Sequence, residues 1–187
     1  MSAFFLSLIV GLAVTLAGRE GVRVGRLAGA SAGKGRIMAA VLLASVCTSA
    51  LAAWLGASIA PLLSHRYLRG FAALALVIAA LQVAVLRAPP APREPTRSIG
   101  ATFLALLVAQ FSDATRFAIL ALATLSARDW PTGAGGAIGS AAALLLVTRM
   151  DRAWERGAPL RALRLGASAV LLVAGATIGF SASQPAL

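Results

Sequence analysis

An aspartate and an arginine three residues apart, Asp113 and Arg116, stand in the middle of an apolar stretch running from Ile99 to Leu125. At bilayer depth each ionisable group costs roughly 2.5 to 3.5 kcal/mol on insertion scales, so a stretch that keeps two of them points to a use for them. The local sequence AQFSDATRF adds Gln110, Ser112 and Thr115, all of which carry side-chain oxygen. Glu20 is another acid inside a largely apolar segment, flanked by Arg19, Arg23 and Arg26. Asp113, Gln110, Ser112, Thr115 and Glu20 are thus the oxygen-bearing candidates of these stretches. Arg116, one turn from Asp113, brings a positive charge to the same helix face. Asp113 is then either a carboxylate that couples to a proton or a cation, or the partner of Arg116 in an ion pair that neutralises two buried charges. The arginines also leave room for an anionic solute.

The elements that must hold these residues are transmembrane helices. With 59% hydrophobic residues in 187 and a mean hydropathy of +0.87, the chain lies outside the range of a soluble domain. Apolar runs of spanning length predict six helices: Ala3 to Ala32, Ile37 to Leu63, Tyr67 to Leu86, Ile99 to Leu125, Gly133 to Thr148 and Leu160 to Phe180. The first has a doubtful far end, because Arg19, Glu20, Arg23 and Arg26 interrupt its apolar pattern and the run leaves the hydrocarbon near Gly18. MSAFF carries no Lys or Arg, so the first run reads as a retained helix rather than a cleaved signal peptide. RAPPAPREPTRS, with four prolines, is a linker that cannot stay helical. It divides the chain into a first three-helix repeat over 1–86, the linker 87–98 and a second three-helix repeat over 99–187. LRGFAALALVIAALQVAV in the first half echoes LRALRLGASAVLLVAGAT in the second. Three spans per half set the halves in opposite orientation, so the expected fold is an all-α integral membrane protein of six transmembrane helices arranged as two inverted repeats.

Basic residues set the orientation. Lys34, Arg36, Arg87, Arg93, Arg97, Arg149, Arg152, Arg156, Arg161 and Arg164 fall in connections on one side, against Arg66, Arg69 and Arg128 on the other. The positive-inside rule makes the first side cytoplasmic and both termini external, as in a multi-pass protein of a bacterial-type inner membrane. The formal charge of +11 therefore belongs to loops beside the lipid bilayer and not to a nucleic-acid-binding face. Gly21, Gly25, Gly29 and Gly33 recur every fourth residue, as do Gly135 and Gly139, and read as close helix contacts. Arg19, Arg23 and Arg26 share a face if that helix is continuous, where they line an aqueous vestibule or, with no acid but Glu20 to pair with, anchor in headgroups; anchoring is the expectation. Cys47 reads as a small packing residue and His65 as a solvated residue of an outer loop. No nucleophile elbow, phosphate loop or Cys/His cluster is present, so neither an enzyme nor a bound cofactor is expected. A homo-oligomer is compatible with the sequence.

The order of elements, with a motif-bearing helix opening each half, resembles the Gdt family of manganese/calcium cation/proton exchangers. The likeness extends over most of the chain. TFLALLVAQFSDATRFAILALA looks like the family helix bearing Glu-x-Gly-Asp-Lys-Thr, followed by the Gly-rich GGAIGSAAALLL and the Pro-Leu-Arg opening PLRALR. VCTSALAAWLG and LRGFAALALVIAAL occupy the places of the second and third helices. The resemblance implies six helices, an inverted repeat and exchange of a divalent cation for protons at carboxylates of both motifs; a hard cation such as Mn²⁺ or Ca²⁺ would then take oxygens from Asp113, Gln110, Ser112, Thr115 and Glu20, in competition with the charge of Arg116. This chain departs from it at the motifs: Gln110 stands for Glu, Ser112 for Gly, Ala114 for Lys and Arg116 for Gln, while Asp113 and Thr115 are in register. In AGREGVRV, Gly18 and Gly21 replace the acids and Glu20 stands one position early. One of four family carboxylates is in place, so the expected function is cation transport across the membrane, with a member that no longer exchanges cations and acts as a structural or interaction protein as the alternative.

Overall fold

The computed structural model describes residues 2–30, 33–88, 90 and 98–184. Among these every regular element is helical: α1 (Ser2–Ala17), α2 (Arg19–Ala30), α3 (Lys34–Ile59), a 3₁₀ turn (Ala60–Leu62), α4 (His65–Val85), α5 (Ile99–Phe111), α6 (Ala114–Ser126), α7 (Asp129–Met150), α8 (Arg152–Gly157) and α9 (Leu160–Ser183). Four segments are long and apolar enough to cross a membrane singly, namely α3 with its 3₁₀ turn, α4, α7 and α9. Two further candidates are bent pairs, α1 with α2 at 61° and α5 with α6 at 57°. The run expected as one helix from Ala3 to Ala32 is thus broken at Gly18, and the run from Ile99 to Leu125 at Ser112 and Asp113. Most of the linker, with Arg93 and Arg97, lies outside the described residues.

Local chemistry accounts for the ends. Pro61 has no N–H to extend α3, so the chain tightens into the 3₁₀ turn there. Ala127, at φ 50°, takes the left-handed conformation that ends α6. His65 is the first residue of α4, following Ser64, and is exposed at the helix start rather than in a loop.

The helices pack on small residues. Ala40, Ala44, Ala72, Ala79, Ala118, Ala121, Ala123 and Ala143 are buried, whereas Leu43, Trp54, Leu74, Leu81, Val108, Val170 and Phe180 face outward. Lipid tails are as apolar as a leucine, so helices in a bilayer gain from close backbone approach instead of from hiding large side chains. The crossing of α1 and α7 shows this: a Cβ on Gly11 would lie 2.9 Å from the Gly136 carbonyl, and Cβ atoms on Gly135 and Gly139 would strike the carbonyls of Phe4 and Leu8. Of the expected stripe in the first run, Gly21 and Gly25 are buried, Gly29 is exposed, and Gly33 lies beyond α2 at the start of α3. Gly29, still within α2, faces outward, and Gly33 lies beyond the end of that helix, so neither belongs to the packing face. Cys47 is exposed on the outer surface and not packed inside.

Connections rich in basic residues gather at one end of the bundle. There Arg26 pairs with Glu155 at 2.5 Å and Lys34 with Asp151 at 2.5 Å. Arg164 donates to the carbonyls of Val83, at 3.1 Å, and Leu86, capping the C-terminus of α4 from α9.

Candidate functional site

The two helix breaks face each other. Thr15 near the end of α1 and Thr115 near the start of α6 put their hydroxyl oxygens 3.0 Å apart. A Cβ on Gly18 would lie 2.8 Å from the Val14 carbonyl at the end of α1, so the bend itself calls for a residue without a side chain, and the same Cβ would stand in ordinary contact with Asp113 Oδ2 of the second break, at 3.9 Å. Both α2 and α6 therefore begin here, and the first N–H groups of a helix, with the positive end of its dipole, point out of each start.

Asp113 is the N-cap of α6. Its Oδ2 accepts from Thr115 N at 3.5 Å and from the Thr115 hydroxyl at 3.4 Å. Its Oδ1 accepts from Arg19 Nε at 3.3 Å, and Arg19 Nη2 donates to the Ser112 carbonyl at 3.2 Å. Capping and pairing together make a carboxylate tolerable here, which is 1% exposed. One guanidinium from the first broken helix thus satisfies both sides of the break in the second.

Arg116 is 2% exposed and is held from elsewhere. Its Nε donates to Thr48 Oγ1 on α3 at 2.6 Å and its Nη2 to Gln110 Oε1 at 2.9 Å. A guanidinium cannot accept, so Gln110 must turn its oxygen to Arg116 and its amide nitrogen away. Among the described residues, Arg116 Nη1 and Gln110 Nε2 are buried donors without a hydrogen-bond partner, and both oxygens of Glu20, at 1% exposure, are buried acceptors without one. The charges acting on Glu20 are Arg116 and Asp113 from the second broken helix and Arg23 and Arg19 from its own. Ser45 and Ser49 place two more unpartnered hydroxyls on the buried side of α3 beside Thr48. Leaving such a group unpaired costs about 1 to 3 kcal/mol, so each calls for a physical account, of which a ligand, an ion or a water is one kind.

The structure brings Asp113, Gln110, Ser112, Thr115, Glu20 and Arg116 to this one region, but joins them differently from the sequence expectation. Asp113 pairs with Arg19 and not with Arg116, because the break turns Asp113 to cap α6 while Arg116 points one turn on toward α3. Arg19 and Arg26, expected to lack acids apart from Glu20, are each paired by folding with one that is remote in sequence, Asp113 and Glu155. Thr48, which holds Arg116, was not among the candidates. Among the described residues no three His, Cys, Asp or Glu side chains are grouped as metal ligands would be. No protein-family model, curated protein or solved structure matches the chain.

Proposed function

We propose that this chain is a secondary transporter of the membrane, with the solute handled where the two broken helices meet. The observation that carries the reading is the convergence of two helix starts on a buried cluster of charged and unpartnered polar groups, the arrangement by which discontinuous helices serve transported ions. Six spans in two inverted repeats suit it: α1 and α2 pack on α7 of the other half, and their counterparts α5 and α6 pack on α3. Glu20 and Asp113 are the carboxylates available for proton coupling or for a cation such as Mn²⁺ or Ca²⁺, as the resemblance implies, with Gln110, Ser112 and Thr115 adding oxygen. The bias of basic residues supports both termini outside and the clustered connections in the cytoplasm of a bacterial-type inner membrane.

Purified protein in proteoliposomes with an internal pH dye tests the reading. Proton movement dependent on an added solute, above that of protein-free vesicles and reduced by Glu20→Gln, is expected. If a panel of cations and anions moves no protons and no tracer, the cluster is a structural lock and the alternative of a non-transporting membrane protein stands.

A further inference from the structure

We propose that the solute is a small oxyanion taken up together with a proton, with Arg116 and Gln110 gripping the oxyanion and Glu20 carrying the proton. The proposal rests on the transporter reading and narrows its substrate class. Around the crossing stand three guanidiniums, Arg19, Arg23 and Arg116, against two carboxylates, Glu20 and Asp113. The excess is positive. A divalent cation entering here meets that excess, and the carboxylate best placed to bind it, Asp113, is already committed to Arg19 and to the start of α6.

Among the unpartnered groups of the site, the Glu20 oxygens are acceptors suited to a proton, while two nitrogens are donors suited to an anion. Arg116 Nη1 and Gln110 Nε2 are donors on two side chains bound to each other, and they offer neighbouring N–H groups of the kind that two oxygens of one oxyanion accept. The starts of α2 and α6 add backbone dipoles of the same polarity. This pairing of helix starts with fully buried, unpartnered donors from α5 and α6 is more than either feature alone supplies.

Glu20 supplies coupling. It acts on Arg116 through space without hydrogen-bonding to it. When ionised it cancels part of the field the oxyanion needs, and when protonated it raises the charge of the site by one. Proton and oxyanion therefore bind more tightly together than apart, and by linkage each strengthens the other to the same degree. The groups that set this balance from the elements around Glu20 are Arg19 and Arg23 on α2, Asp113 at the cap of α6 and Arg116 on α6.

The test uses the full chain in proteoliposomes, acid outside, with phosphate, sulfate and malonate as oxyanions, chloride as a monatomic anion, and Mn²⁺ and Ca²⁺ as their chlorides. At least one oxyanion is expected to acidify the lumen saturably, and Arg116→Gln to lower that rate at least tenfold. In detergent, the same oxyanion is expected to raise the melting temperature more at acid than at alkaline pH. Glu20→Gln should keep the stabilisation, lose its pH dependence and move no protons. Should Arg116→Gln fail to fold, Gln110→Glu, which sets a negative charge beside the same donors, must abolish stabilisation by the oxyanion. Flux with Mn²⁺ or Ca²⁺ and none with oxyanions overturns the oxyanion and leaves the transporter. Equal flux with chloride overturns oxyanion recognition. No flux and no stabilisation by any of them overturns both readings.

Discussion

Arg19 of the first broken helix lies 3.3 Å from Asp113 of the second and also reaches the Ser112 carbonyl, so each break depends on a residue from the other half of the chain. The pair is asymmetric, with side-chain exposures of 20% for Arg19 and 2% for Asp113. Losing Arg19 strands a buried carboxylate; losing the charge of Asp113 strands a cation with some access to solvent. Arg19→Gln should therefore cost about 3 kcal/mol or more, and Asp113→Asn, which keeps an N-cap, about 1 to 2 kcal/mol. The double variant should recover at least about 1 kcal/mol of the summed loss. Thermal unfolding in detergent gives the cycle, and strict additivity would remove the pair as the link between the breaks.

The second prediction concerns glycines. Gly139→Leu meets the backbone of α1 and Gly25→Leu meets Val147 and the Asp151 carbonyl, so both should lower the yield of folded protein, by at least the 1 to 3 kcal/mol typical of overpacking. Gly70→Ala and Gly166→Ala, where nothing lies within 4 Å of the new Cβ, should be neutral or stabilising by about 0.5 to 1 kcal/mol. Extracted yield and melting temperature decide; similar losses in all four variants would mean that close approach to neighbours is not what these glycines provide.

Ala127 holds a left-handed conformation at φ 50°, which costs an L-residue with a Cβ about 1 to 2 kcal/mol. Ala127→Gly should raise the melting temperature. An unchanged or lowered value would argue against that conformation at the end of α6.

A pH effect is expected at the Arg26–Glu155 pair. Hydrogen bonding from Arg26 holds the Glu155 carboxyl below its ordinary value of 4.5. Because the folded state lowers this value, the pair contributes stability above pH 4.5 that fades as the pH falls through the lower folded value. Both side chains are partly exposed, which keeps the effect under about 1 kcal/mol. The difference in melting temperature between wild type and Glu155→Gln should be constant near neutrality and vanish in acid; a difference that grows in acid reverses the sign and rejects the pair.

The helical, apolar character and most helix limits were legible in the sequence because each apolar run is itself the signal, and Leu160 begins α9 as read. The breaks were half legible. The charges after Gly18 marked the first, while the second hid because a carboxylate in a long apolar run was read for its cost and not for its place: Ser-Asp-Ala-Thr is also an N-cap sequence. What no local pattern carries is the partnership of Arg19 with Asp113 or of Arg116 with Thr48. Those contacts join residues 94 and 68 positions apart, and the choice between Arg19 and Arg116 as partner of Asp113 follows only from the bend between α5 and α6.

The cap that Arg164 places on α4 bears on the order of synthesis. The terminal carbonyls of α4 near Val83 and Leu86 are made about eighty residues before the guanidinium that satisfies them. While the chain emerges from the ribosome, α4 is therefore made with an unfinished end, and α9, made later, is the helix that completes it. A nascent chain halted before Leu160 should leave α4 protease-sensitive at that end, which makes the docking of α9 on α4 a separate, later step of assembly.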